Sequence, residues 1–130
     1  MKWQISNDAP VYAQLIEQIQ VGIASGVFAP GERLPSVRDL ATEAGVNPNT
    51  MQRALAELER QGLVYSQRTA GRFVTEDHKM IENAKRELAR RHICTFVETM
   101  GRLGYREEEI VSLLRQETDK EGTEHVGSGM

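Results

Sequence analysis

Two helix-start signals, Ser36 and Asn47, stand only eleven residues apart. That spacing leaves room for one short helix and a tight corner before a second helix begins. Ser36 can cap the first helix, with Asp39 three residues later in a capping-box arrangement, and Val37, Leu40, Ala41 and Ala44 line one face. Gly45 then breaks the helix, being able to take positive φ in the corner. Asn47 caps the second helix and Pro48 occupies its first position, where a missing N–H is no loss. Met51, Ala54, Leu55 and Leu58 form the apolar stripe of this second helix, which stops at Gly62. Two short helices joined by a glycine-containing turn make a helix-turn-helix.

The flanking segments extend the pattern. Upstream, Asn7 and Asp8 are candidate caps, Pro10 suits a first turn, and Val11, Leu15, Ile16, Ile19 and Ile23 mark an amphipathic helix stopped by Gly26. Downstream, Leu63-Val64-Tyr65, a polar turn over residues 67–71 and Phe73-Val74-Thr75 read as a β-hairpin, a wing. Helical periodicity resumes near Glu76. It carries Ile81, Leu88, Ile93, Phe96, Met100 and Leu103 on a broad apolar face interrupted by Gly101 and Gly104. A last short helix over residues 106–115 presents Ile110, Leu113 and Leu114. The polar, glycine-bearing stretch 117–130 reads as a disordered tail. The expected architecture is mainly α with a small β-hairpin. It divides into a winged helix-turn-helix over 1–75, a two-helix dimerisation segment over 76–116, and the tail.

Net charge is −3, an unfavourable total for a nucleic-acid binder, but its distribution matters more. Residues 33–72 hold six arginines against four acids, whereas residues 76–130 hold nine bases against twelve acids. On the second helix, the face opposite the apolar stripe carries Asn49, Gln52 and Arg53, with Asn47 and Thr50 at the leading end. Asn and Gln match adenine edges and Arg matches guanine, so this helix is the candidate reader of bases. Arg38 is placed for backbone or groove contact, and Arg68 and Arg72 flank the wing tip. By default, polar residues opposite an apolar stripe are only a solvated face. Two caps, a glycine corner and a basic hairpin in sequence favour the stronger reading.

The run Gly31-Glu32-Arg33-Leu34-Pro35-Ser36-Val37-Arg38-Asp39-Leu40-Ala41, then Gly45-Val46-Asn47-Pro48-Asn49-Thr50-Met51-Gln52-Arg53-Ala54, then Leu58-Glu59-Arg60-Gln61-Gly62-Leu63-Val64, resembles the GntR family of bacterial regulators. The Asn-Pro-Asn-Thr element and short C-terminal extension resemble the YtrA subfamily. The resemblance implies DNA contacts at Arg38, Asn47, Asn49, Thr50, Gln52, Arg53 and the wing glycine Gly71. Many members carry arginine where this chain has Pro48 and Gln52, so their base preference does not transfer. The wing pattern Gly-x-Gly-x-Phe appears here as Thr69-Ala70-Gly71-Arg72-Phe73, without the first glycine.

An apolar helical face attached to a domain with its own core calls for a second copy, and the resemblance implies the same. Double-stranded DNA and a homodimer are therefore the expected partners. A small-molecule effector, unidentified here, would have to bind at the dimer interface or between the two modules. Catalysis is not expected, because neither a phosphate loop nor a nucleophile constellation occurs. His78, His92 and His125 are scattered and Cys94 is single, so neither metal nor cofactor is expected. With no apolar run near the ~20 residues of a bilayer span, no signal-like N-terminus and one cysteine, a cytoplasmic protein without a membrane partner is expected. The rival reading is a winged-helix protein-interaction module that has lost DNA binding; the negative net charge, Pro48 and Thr69 favour it.

Overall fold

A computed structural model describes residues 1–124, with side chains through residue 120. The elements run α1 (Val11–Ala24), α2 (Val37–Ala44), α3 (Pro48–Arg60), β1 (Val64–Gln67), β2 (Gly71–Val74), α4 (His78–Arg102) and α5 (Glu107–Glu124). The first compact unit spans Met1–Glu87 and the second begins at Leu88, so the division falls inside α4 rather than after residue 75. The reason is packing: Met80, Ile81 and Ala84, in the first two turns of α4, lie against the core of the first unit. Ile81 is thus committed to that core rather than to a dimer face.

Local chemistry explains the helix boundaries. Ser36 Oγ accepts the Asp39 amide at 3.0 Å, and Asn47 Oδ1 accepts the Asn49 amide at 2.7 Å. Each satisfies an amide with no partner inside its own helix. Gly45 closes α2 at φ +71°, a left-handed conformation that a side chain would strain. α1 departs from expectation. Pro10 sits at its cap without a side-chain bond, and neither Asn7 nor Asp8 caps it. Instead Gln14 and Gln18 tie the N-terminal segment along α1. The Gln18 amide exchanges two hydrogen bonds with the Gln4 backbone, and Gln14 Nε2 donates to the Ser6 and Ala9 carbonyls.

The core of the first unit joins Leu15, Ile19 and Ile23 from α1, Leu40 and Ala41 from α2, and Met51, Ala54, Leu55 and Leu58 from α3. Phe28, Leu34, Leu63, Val64 and Val74 complete it, with Trp3 and Ile5 packed on its edge. The stripe read from sequence on α3 is fully inside. The wing is an antiparallel pair in which Val64, Tyr65, Ser66 and Gln67 face Val74, Phe73, Arg72 and Gly71. An extended stretch before α2 runs along its outer edge: Leu34 N donates to Arg72 O and Val74 N to Glu32 O, 2.8 and 2.9 Å respectively. The hairpin is therefore anchored on both sides of β2.

In the second unit Leu88 and Ile110 are buried, and Met100 and Leu113 are half-buried. Leu88 and Ile110 therefore leave the set of residues expected on a free dimer face. Ile93, Phe96, Val97, Leu103, Tyr105, Val111 and Leu114 remain exposed. α4 continues through Gly101 and ends at Arg102, with Gly104 at positive φ in the turn that follows, so only the second of the two glycines lies at a break. α5 runs on to Glu124, which corrects the expectation of disorder from residue 117; residues 125–130 lie outside the described residues. The added turns, with Glu117, Glu121 and Glu124 among them, extend a helix already nucleated over Glu107–Arg115, where propagation costs less than a new start. No helix among the described residues is long and apolar enough to cross a membrane.

Candidate nucleic-acid interface

The reading face of α3 is built by burying its opposite side. Met51, Ala54, Leu55 and Leu58 are each at most 1% exposed, which fixes the helix rotation about its axis. Asn49, Gln52 and Arg53 are consequently exposed, on one side, as the sequence implied, while Thr50 is half-buried. Asn47 is exposed, but its Oδ1 is spent on capping α3, which leaves its amide nitrogen as the outward group. Arg38 is exposed near the start of α2.

Arg53 does not hang freely. Its guanidinium carbon lies 4.6 Å from the centroid of the Tyr12 ring on α1. Such a cation–π contact at an exposed site is worth about 0.5–1 kcal/mol. It narrows the range of rotamers from which Arg53 approaches a base. Farther along α3, Arg60 donates to Glu57 at 2.8 Å and Gln61 donates at 3.1 Å. The Arg60 and Gln61 hydrogen bonds, with the Arg60 charge beside them, outweigh desolvation and hold the Glu57 carboxyl at about 2. Arg60 is thereby occupied within the protein.

The wing separates two arginines that the sequence treated alike. Arg68, in the turn between the strands, is exposed. Arg72 turns back onto α3, its Nε donating to Glu59 Oε1 at 2.6 Å, and its side chain is 21% exposed. It is therefore a poor candidate for direct DNA contact. Gly71 has φ +104°, and a Cβ there would lie 3.1 Å from Arg33 Nε. The positive φ favours glycine at this position, while a Cβ would press only on the exposed Arg33 side chain, even though Thr69 replaces the other wing glycine. Arg33, absent from the sequence-derived set, lines a groove with Pro35, Ser36, Val37, Arg68 and Gly71. Its only sequence signal was a basic residue just before the Ser36 cap. The bridge pairing Arg33 with Phe73 is what brings it to the wing.

The family described as bacterial regulatory proteins, gntR family, matches residues 11–74, the stretch that contains every element of this surface. The HTH-type transcriptional regulator YhcF of Bacillus subtilis is 35% identical over 89% of this chain and 96% of its own length. The HTH-type transcriptional repressor YtrA of the same organism is 41% identical over 56% of each chain. A GntR family transcriptional regulator from Listeria monocytogenes superposes with a TM-score of 0.81 at 36% identity, covering 86% of this chain and 98% of that one. AraR(DBD) in complex with operator ORX1 matches with a TM-score of 0.51 at 29% identity, over 58% of this chain and 99% of that one. The chain belongs to the gntR family of bacterial regulatory proteins, with YtrA-like regulators among its close relatives.

Proposed function

We propose that this DNA-binding transcriptional regulator is a repressor that reads a near-palindromic operator as a homodimer in the cytoplasm. The observation that carries the reading is the pairing of a buried stripe with an open amide-and-guanidinium face on α3, formed by Asn49, Gln52 and Arg53. An Asn or Gln amide matches adenine and an Arg fork matches guanine in the major groove. Arg38 on α2, and Arg33 and Arg68 lining the groove beside the wing, are exposed and in this reading serve backbone phosphates. Pro48, which the rival interaction-module reading invoked, occupies the first turn of α3 and removes no donor the helix could have used.

Support for the dimer comes from the second unit. Ile93, Phe96 and Val97 recur at helical spacing on α4, Leu103 follows in the turn just after it, and all four stay exposed, Ile93 at 60% and Leu103 at 67%. A contiguous apolar stripe of this kind calls for a partner, and a second copy supplies it symmetrically. Two reading helices then meet half-sites about 34 Å apart, or a multiple of that, which requires a near-palindrome. Any small-molecule effector would act by changing the spacing of those helices.

Gel-shift on the promoter of the protein's own gene across a salt series tests the reading. Specific binding should weaken steeply with salt as counterions are released. Flat or absent binding would favour the interaction module. Arg53→Ala should weaken operator binding by about 1–3 kcal/mol and relax preference at one base pair. Unchanged operator affinity would remove α3 as the reader. Arg33→Gln should weaken binding similarly across sequences and lower the salt slope by about 0.9, one phosphate's worth; an unchanged slope would exclude Arg33 from the phosphate contacts.

A further inference from the structure

Glu59 is an acid on a helix whose task is to approach a polyanion. It follows Gln52 by seven residues, two helical turns, and so lies on the same side of α3 as the reading residues. A bare carboxylate there would repel DNA. In the structure it is not bare: Glu59 Oε1 accepts Ser66 Oγ at 2.7 Å and Arg72 Nε at 2.6 Å. Ser66 belongs to β1 and Arg72 to β2, and the two face each other across the hairpin. One carboxylate oxygen therefore grips a single rung of the wing by both strands. Burial works to raise the Glu59 carboxyl, but the Ser66 and Arg72 hydrogen bonds and the Arg72 charge prevail and hold it below the ordinary carboxylate range.

We infer that Glu59 is a positioning residue for DNA recognition: by gripping Ser66 and Arg72 it seats the wing beside the reading face of α3, so that the exposed Arg68 of the wing tip reaches the DNA from a fixed place. Arg72 then acts on the DNA through the wing and not by touching it. The grip also neutralises an acid on this side of α3 that would otherwise oppose a phosphate. The base of the hairpin is held by the core and by the extended stretch before α2, and the Glu59 grip adds a hold at the Ser66–Arg72 rung, next to the exposed turn residues Arg68 and Thr69.

This inference rests on the DNA-binding reading above, and operator binding by the unaltered protein separates the two. If that protein fails to bind, the functional reading falls. If it binds and Glu59 proves indifferent, only the present inference falls. The decisive variant is Glu59→Gln, because the alternatives differ in sign. Were Glu59 a bystander, or a restraint on a DNA-contacting Arg72, removing its charge would leave operator affinity unchanged or tighten it. As a positioning residue, its loss should weaken binding roughly tenfold, the size of coupling expected within one hydrogen-bonded network. The loss should shrink to within about twofold in an Arg68→Gln background, because the grip works through the wing tip. Unchanged or tighter binding, or an equal loss in both backgrounds, would overturn it. Thermal melting of the same samples should show the winged domain folded at the binding temperature. Should Glu59→Gln not fold, Ser66→Ala removes one of the two grips and is read by the same signs in the same two backgrounds.

Discussion

Replacing Ile93 and Phe96 together by Asp should yield a folded monomer whose operator affinity is lower by about two to four orders of magnitude. The magnitude follows from effective concentration: once one half-site is engaged, a tethered second reader binds as if at roughly millimolar concentration, and a monomer loses that gain. Both side chains are exposed on α4, 60% and 38%, beyond the turns of that helix that pack on the first unit. The substitutions therefore leave the winged domain's core untouched, and its melting transition should persist. Light scattering gives the mass and gel-shift gives the affinity. A doubly substituted protein that remains dimeric at micromolar concentration and keeps full affinity would show that this stripe does not join the two copies.

Leu58→Ala should be the most damaging single truncation in the reading helix. Leu58 is 0% exposed in the core that unites the first three helices. Leucine truncations at such sites cost about 2–5 kcal/mol, from lost transfer energy and the cavity left behind. Small domains hold only about 5–15 kcal/mol in total. For a domain of this size the midpoint should fall by roughly 10–30 °C. Val27→Ala, at a residue 56% exposed, is the control and should stay within about 0.5 kcal/mol of the parent. If Leu58→Ala melts with the control, the buried stripe is not what orients α3. DNA binding measured well below the lowered midpoint should be largely retained, since Leu58 has no access to DNA.

These two outcomes probe different origins of one surface. In the proposed dimer the second unit brings two readers together, whereas the core stripe of α3 turns each reader outward. Glu59 adds a third element by holding the wing against the reading helix.

The readable parts of the chain were those whose causes lie within a few residues. Asn47 and Pro48 start α3 by a bond to the next turn and by a fixed φ, so their sequence is their structure. The stripe Met51–Ala54–Leu55–Leu58 needs only helical periodicity to choose the buried side, and the open positions of Asn49, Gln52 and Arg53 follow from it. Gly45 likewise ends α2 for a reason confined to its own backbone.

What stayed hidden depended on partners distant in sequence or on competition between weak signals. Arg72 looked like a DNA contact because nothing near it in sequence announces Glu59, thirteen residues earlier, as its partner. Arg33 had no assigned role in the sequence, and its bridge to Phe73 is what brings it beside Gly71. Ile81 and Leu88 shared one apolar periodicity with Ile93 and Phe96, and Ile110 was read on the following helix as part of the same dimer face, yet the fold sorted them into core-packed, buried and exposed sets. Gly101 was absorbed into the last turn of α4, and α5 carries on past Glu117 as the continuation of a helix already formed. Sequence alone thus determined that a helix-turn-helix forms and which side of α3 faces out, because capping and periodicity are local. Only the tertiary structure decided which arginines remain available to DNA, because an ion pair is chosen by where separate elements come to rest.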